Sequence, residues 1–82
     1  MILPTIHHNG TSREMLAEGY DAADDALHNF IDAFGSIEFN ARDYYVQGPD
    51  AWTAAREARN QINQKIRDIK LYLDKHREHI HS

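Results

Sequence analysis

Apolar residues recur along two stretches of the chain at alternating steps of three and four. In the first, Leu16, Tyr20, Ala23, Leu27, Phe30, Phe34 and Ile37 follow one another at steps of 4, 3, 4, 3, 4 and 3. In the second, Ala51, Ala55, Ala58, Ile62, Ile66, Ile69, Leu73, His76 and Ile80 are spaced 4, 3, 4, 4, 3, 4, 3 and 4. Such spacing gathers apolar side chains into one narrow helical stripe, the form that packs as a coiled coil or bundle. The pattern predicts an all-α chain with helices over residues 11–36 and 49–80, joined by a loop over 37–48.

The boundaries rest on local chemistry. Residues 1–10 carry Pro4, Gly10 and the β-branched Ile2, Thr5 and Ile6, which predicts an extended arm or short strand ending in an Asn9-Gly10 turn. Thr11-Ser12-Arg13-Glu14 has the form of a capping box with Thr11 as the cap. Two endings are open for the first helix: a left-handed cap at Gly35, or continuation to about Glu38, since Ile37 keeps the register. Gly48-Pro49-Asp50 opens the second helix, with Pro49 at its first position. A helix of about 30 residues is roughly 45 Å long, so the second outruns the first. Together these elements predict an antiparallel two-helix hairpin with an extended amino-terminal arm. Met15, Trp52, Leu71 and Tyr72 lie off the stripes, leaving more apolar surface than one hairpin hides. Self-association into a helical bundle is the remedy, most simply two hairpins as four helices, with a trimer or larger ring also open.

Composition points the same way. Eighty-two residues without a cysteine have no disulfide or thiolate metal site to compensate for a small core. The net charge of −4 argues against general nucleic-acid binding. Acids dominate residues 11–35, with Glu14, Glu18, Asp21, Asp24, Asp25 and Asp32 against Arg13 alone, while bases dominate from residue 51 onward. The apolar start Met1-Ile2-Leu3 is interrupted by Pro4, and no run reaches the roughly 20 apolar residues of a membrane span. No signal peptide, no membrane partner and a cytoplasmic location are expected.

Candidate chemistry collects around the connector. Arg42, Asp43, Tyr44, Tyr45 and Gln47 supply aromatic faces, hydroxyls and a guanidinium fork suited to a nucleotide or another anionic partner. The plainer reading has the tyrosines capping the bundle end and Arg42 pairing with Asp43. A second row, Trp52, Arg56, Arg59, Asn63, Arg67 and Lys70, runs beside the apolar stripe and offers an anion-binding wall. Its plainer reading is ion pairing with Asp21, Asp24, Asp25 or Asp32 across the helix interface. His76, His79 and His81 at one end and His7 and His8 at the other are expected to be fraying polar termini rather than metal ligands. Asp24 and Asp25 are expected on a solvated surface. There is no Ser/His/Asp order, phosphate loop or glycine-rich fingerprint, so no catalytic residue, metal or cofactor is expected.

The segments Ile6-His7-His8-Asn9-Gly10-Thr11-Ser12 and Asn40-Ala41-Arg42-Asp43-Tyr44-Tyr45-Val46-Gln47-Gly48 resemble a group of small proteins encoded by tailed phages and prophages. That group shares an IHxNGTS start, an NGRDYYxQG middle and two long helices, and most of its members have no assigned activity. This chain departs from it at Ala41, where the group usually has glycine, and at Phe39, where proline is common. The resemblance implies a phage protein acting in the cytoplasm of a host bacterium. By class analogy, such small helical oligomers serve host takeover and counter-defence.

Three functions follow as expectations. The first is a non-enzymatic binder that sequesters a nucleotide-type signal in an inter-subunit pocket, through Arg42, Asp43, Tyr44, Tyr45, Gln47, Trp52, Arg56 and Arg59. The second is an inhibitor or adaptor that engages a host protein through the acidic face of the first helix. The third is a structural accessory whose only partner is itself.

Overall fold

In a computed structural model describing residues 1–82, helix α1 spans Arg13–Gly35 and helix α2 spans Ala51–His81. They run antiparallel as a rod of 60 × 22 × 18 Å. The connector contains two single-turn 3-10 helices, Ala41–Asp43 and Tyr45–Gln47. The all-α hairpin predicted from periodicity is therefore observed. The arm forms no strand. It does turn where expected, the Gly10 N–H donating to the His7 carbonyl at 3.1 Å.

The helix ends differ from expectation for definable reasons. Ser12, not Thr11, caps α1: it holds an extended backbone, and its Oγ accepts the Met15 N–H at 3.1 Å. The capping box of Thr11 and Glu14 does not form. At the other end α1 stops at Gly35, and Ser36 follows with right-handed angles, φ −85° and ψ −6°. Its N–H donates to the Asp32 and Ala33 carbonyls, and its Oγ donates to the Ala33 carbonyl at 2.7 Å. These bonds satisfy the helix end without a left-handed glycine and without continuation to Glu38. Pro49 and Asp50 precede α2 rather than opening it. Gly48 holds φ +118°, a conformation that a side chain disfavours.

The helix interface is rotated from the predicted seam of α1. Leu27 and, from α2, Leu73, His76 and Ile80 are buried as their register requires, but Ala23, Phe30 and Ile37 are exposed. Asp24, expected on the surface, is buried at 3% exposure. The reason is electrostatic. Lys70 Nζ donates to Asp24 Oδ1 at 2.9 Å, and Arg77 Nη1 donates to Oδ2 at 3.2 Å. Arg77 Nε also donates to Asp21 Oδ1 at 2.9 Å, and Lys70 Nζ to Asp74 at 2.8 Å. A buried carboxylate is tolerated only when paired in this way. The Lys70 hydrogen bond holds the Asp24 carboxyl below its ordinary range against the opposing effect of burial. The Arg77 and His81 hydrogen bonds do the same for Asp21.

The carboxy-terminal histidines are structural rather than fraying. His76 is 2% exposed, its ring stacked on Tyr72 at 4.0 Å and Tyr20 at 4.9 Å between centroids. Its Nδ1 lies 2.8 Å from the Tyr72 carbonyl. A carbonyl can only accept, so Nδ1 carries the proton. His79 Nε2 donates to the Pro4 carbonyl at 2.7 Å, and His81 Nε2 lies 3.0 Å from Asp21 Oδ1. The Arg13 guanidinium donates to the Ile80 carbonyl. The arm thus docks on its own chain, and Ile80 beneath these contacts is completely buried.

A candidate anion-binding groove on helix α2

The connector returns the chain so that Phe39 lies against the first turns of α2. Phe39 and Trp52 ring centroids are 4.8 Å apart, with Tyr44 at 5.8 Å from Phe39 and 5.7 Å from Trp52. The guanidinium of Arg59 sits between two phenyl rings, 4.3 Å from Phe34 and 4.4 Å from Phe39. Arg56 lies 5.6 Å from the Trp52 ring. A weakly hydrated planar cation is suited to such faces.

Beside this cluster runs a groove of about 750 Å³, lined by Phe39, Trp52, Thr53, Arg56, Glu57, Arg59 and Asn60. Its volume falls within the range of small-molecule sites. Neither Arg56 nor Arg59 has a carboxylate within 4.0 Å; the cross-helix pairs are made by Lys70 and Arg77 instead. Pairing with α1 acids thus holds for Lys70 in the predicted row and fails for the two arginines that border the groove. Arg67 donates to Gln64 at 2.8 Å, within its own helix.

The predicted site residues divide. Trp52, Arg56 and Arg59 come together in the groove, and Tyr44 supports it by packing on Phe39 and Trp52. Arg42, Asp43, Tyr45 and Gln47 are exposed and do not line it. Arg42 and Asp43 form no ion pair, and Tyr45 does not cap the bundle, being 67% exposed. Phe39, Thr53, Glu57 and Asn60 were not singled out by sequence. A signal existed: 53, 56, 57 and 60 share one helical face, but they are mostly polar, and apolar periodicity does not register them. Among His, Asp and Glu, no group of three or more is placed to hold a metal ion.

The groove offers a phenyl and an indole face, two guanidinium groups, one carboxylate, a hydroxyl and a carboxamide. No helix is long and apolar enough to cross a membrane. No protein-family model, curated protein or solved structure matches the chain, so a functional reading rests on the chemistry of the groove.

Proposed function

We propose that the chain is a non-catalytic, phage-type binding protein that sequesters a small anionic ligand of nucleotide type in the α2 groove, within a homo-oligomeric helical bundle. The observation that carries this reading is the pair Arg56 and Arg59, neither of them ion-paired and both set against aromatic rings in one groove. Guanidinium forks match phosphate oxygens, and an indole face accepts a stacked base. Thr53 and Asn60 supply hydrogen-bonding groups for a sugar or base edge. Glu57 at the groove wall favours a ligand with hydrogen-bond donors as well as phosphates. The groove is open to solvent along one side of the rod. The phage resemblance supports a counter-defence role in the host cytoplasm, with a host-made nucleotide signal as the ligand.

Trp52 is the chain's one tryptophan, so its fluorescence reports stacking without a label. Titration with cyclic di- and trinucleotides and ADP-ribose derivatives should quench or shift that emission. Arg56→Ala should weaken binding about tenfold or more, the scale of one charge-assisted hydrogen bond. Arg42→Ala should leave affinity unchanged. Silence from every nucleotide in both fluorescence and calorimetry refutes the reading.

A second reading, docking of a host protein on the acidic face of α1, is favoured by Glu14, Glu18, Asp25 and Asp32, which are exposed and unpaired. Asp21 is excluded from that surface, since Arg77 and His81 engage it. A stoichiometric bacterial protein lost on Asp25→Lys, with no nucleotide response, would favour this reading.

A further inference from the structure

The rotation of the helix interface leaves three of the seven positions of the first apolar stripe and three of the nine of the second exposed, and the off-stripe Met15, Gly19 and Tyr72 lie beside them. On α1 and just beyond it, the uncovered row is Met15, Gly19, Ala23, Phe30 and Ile37; on α2 it is Ala58, Ile62, Ile69 and Tyr72. At about 100° per residue, each row lies on the same rotational side of the direction that points to the other helix. Because the helices are antiparallel, that shared offset turns both rows to one side of the rod. Ile37, Ala58 and Ile62 accordingly line one cleft. The ion pairs of Asp21, Asp24, Lys70 and Arg77 lie away from this side, and the Arg56 groove opens on the opposite one.

We infer that this apolar face packs against the same face of a second copy of the chain. The inference rests on the self-association in the reading above and not on its ligand. Three observations select a second copy as the occupant. First, Leu27, Leu73 and Ile80 are the only buried apolar residues, so the lone hairpin has almost no core. A face needed for folding must find its partner wherever the chain is made, and another copy is always present. Second, a side of 60 × 22 Å accommodates the roughly 800 Å² per partner of a standard interface. Third, Gly19 stands in the interior of α1, where glycine disfavours helix, and a Cβ there would meet nothing within 4 Å. Nothing in its own chain requires a glycine at that position, whereas a closely approaching second helix does.

The test is the solution mass of the full chain and its variants by light scattering, with helix content by circular dichroism. Wild type should have twice the 9.5 kDa chain mass or an even multiple of it. Gly19→Trp should reduce that mass by half or more, because its side chain projects into the interface and not into the hairpin. Trp also favours helix more than Gly does, so the change does not weaken α1 itself. Ile69→Lys should act in the same direction, and Gln64→Trp, away from the face, should leave the mass unchanged. A fully helical wild-type monomer overturns the inference and the oligomer with it. An oligomer indifferent to both Gly19→Trp and Ile69→Lys overturns the assigned face alone. Nucleotide binding is read separately, so failure of the ligand reading is distinguishable from either result.

Discussion

Ile80 is completely buried although it stands two residues from the chain end, and its truncation is the sharpest probe of how the rod is closed. Ile80→Ala removes three carbons from a site with no solvent contact. At about 0.8 kcal/mol per buried methylene the transfer loss is near 2.4 kcal/mol, and an unrelaxed cavity brings the total to about 2–5 kcal/mol. A chain of 82 residues has a folding free energy of about 4–12 kcal/mol, so this one change removes a large share of it. The melting temperature should fall by at least about 10 °C. The loss should also release the arm, since Arg13 and His79 make their contacts around the same turn. Thermal melts and urea titrations followed by far-ultraviolet circular dichroism measure the effect. A melting temperature within about 2 °C of wild type would show that the carboxy-terminal turn frays and that arm docking contributes nothing.

Two further predictions address the ion pairs and the connector. Asp24 and Asp21 have carboxyl pKa values lowered from an ordinary 3.8. Their contribution is therefore complete above that value and is lost as pH falls through the lower folded values. Acid titration of helix content should show a destabilising limb below about pH 4, and Asp24→Asn should shrink it; an unchanged limb contradicts the pairing. Gly48→Ala should destabilise by about 1–3 kcal/mol in urea titration. Its backbone at φ +118° and ψ 170° suits only glycine, and with no atom within 4 Å of a Cβ the cost is purely conformational.

Periodicity made the two helices legible because it follows from helix geometry alone. The α1 seam departs from the apolar spacing for a physical reason. Asp24 is polar, so a search for apolar spacing passes over it, yet Lys70 and Arg77 make it an interior residue. With Asp24 turned inward, Ile31, two helical turns further on, is half-buried in place of the exposed Phe30. His76 belonged to the stripe by spacing, while its position near the end argued for fraying; stacking on Tyr20 and Tyr72 decided in favour of spacing. At the candidate site, the arginine row was visible, but its partners were not. Whether Arg59 meets an acid or two phenyl rings depends on how the connector returns Phe39 to α2, and no local pattern specifies that path. Arg42 and Tyr45 carry suitable chemistry but sit on turns that do not line the groove.

The claim beneath the homo-oligomeric bundle and its interface is that one hairpin is only part of the folded unit. Native mass spectrometry of the protein, taken directly from its expression host and again after denaturation, tests this most directly. The account predicts a native mass at an even multiple of 9.5 kDa that collapses to one chain on denaturation, with any bound nucleotide appearing as the difference. A native mass of a single bare chain, accompanied by full helix content and a cooperative melt, would contradict it.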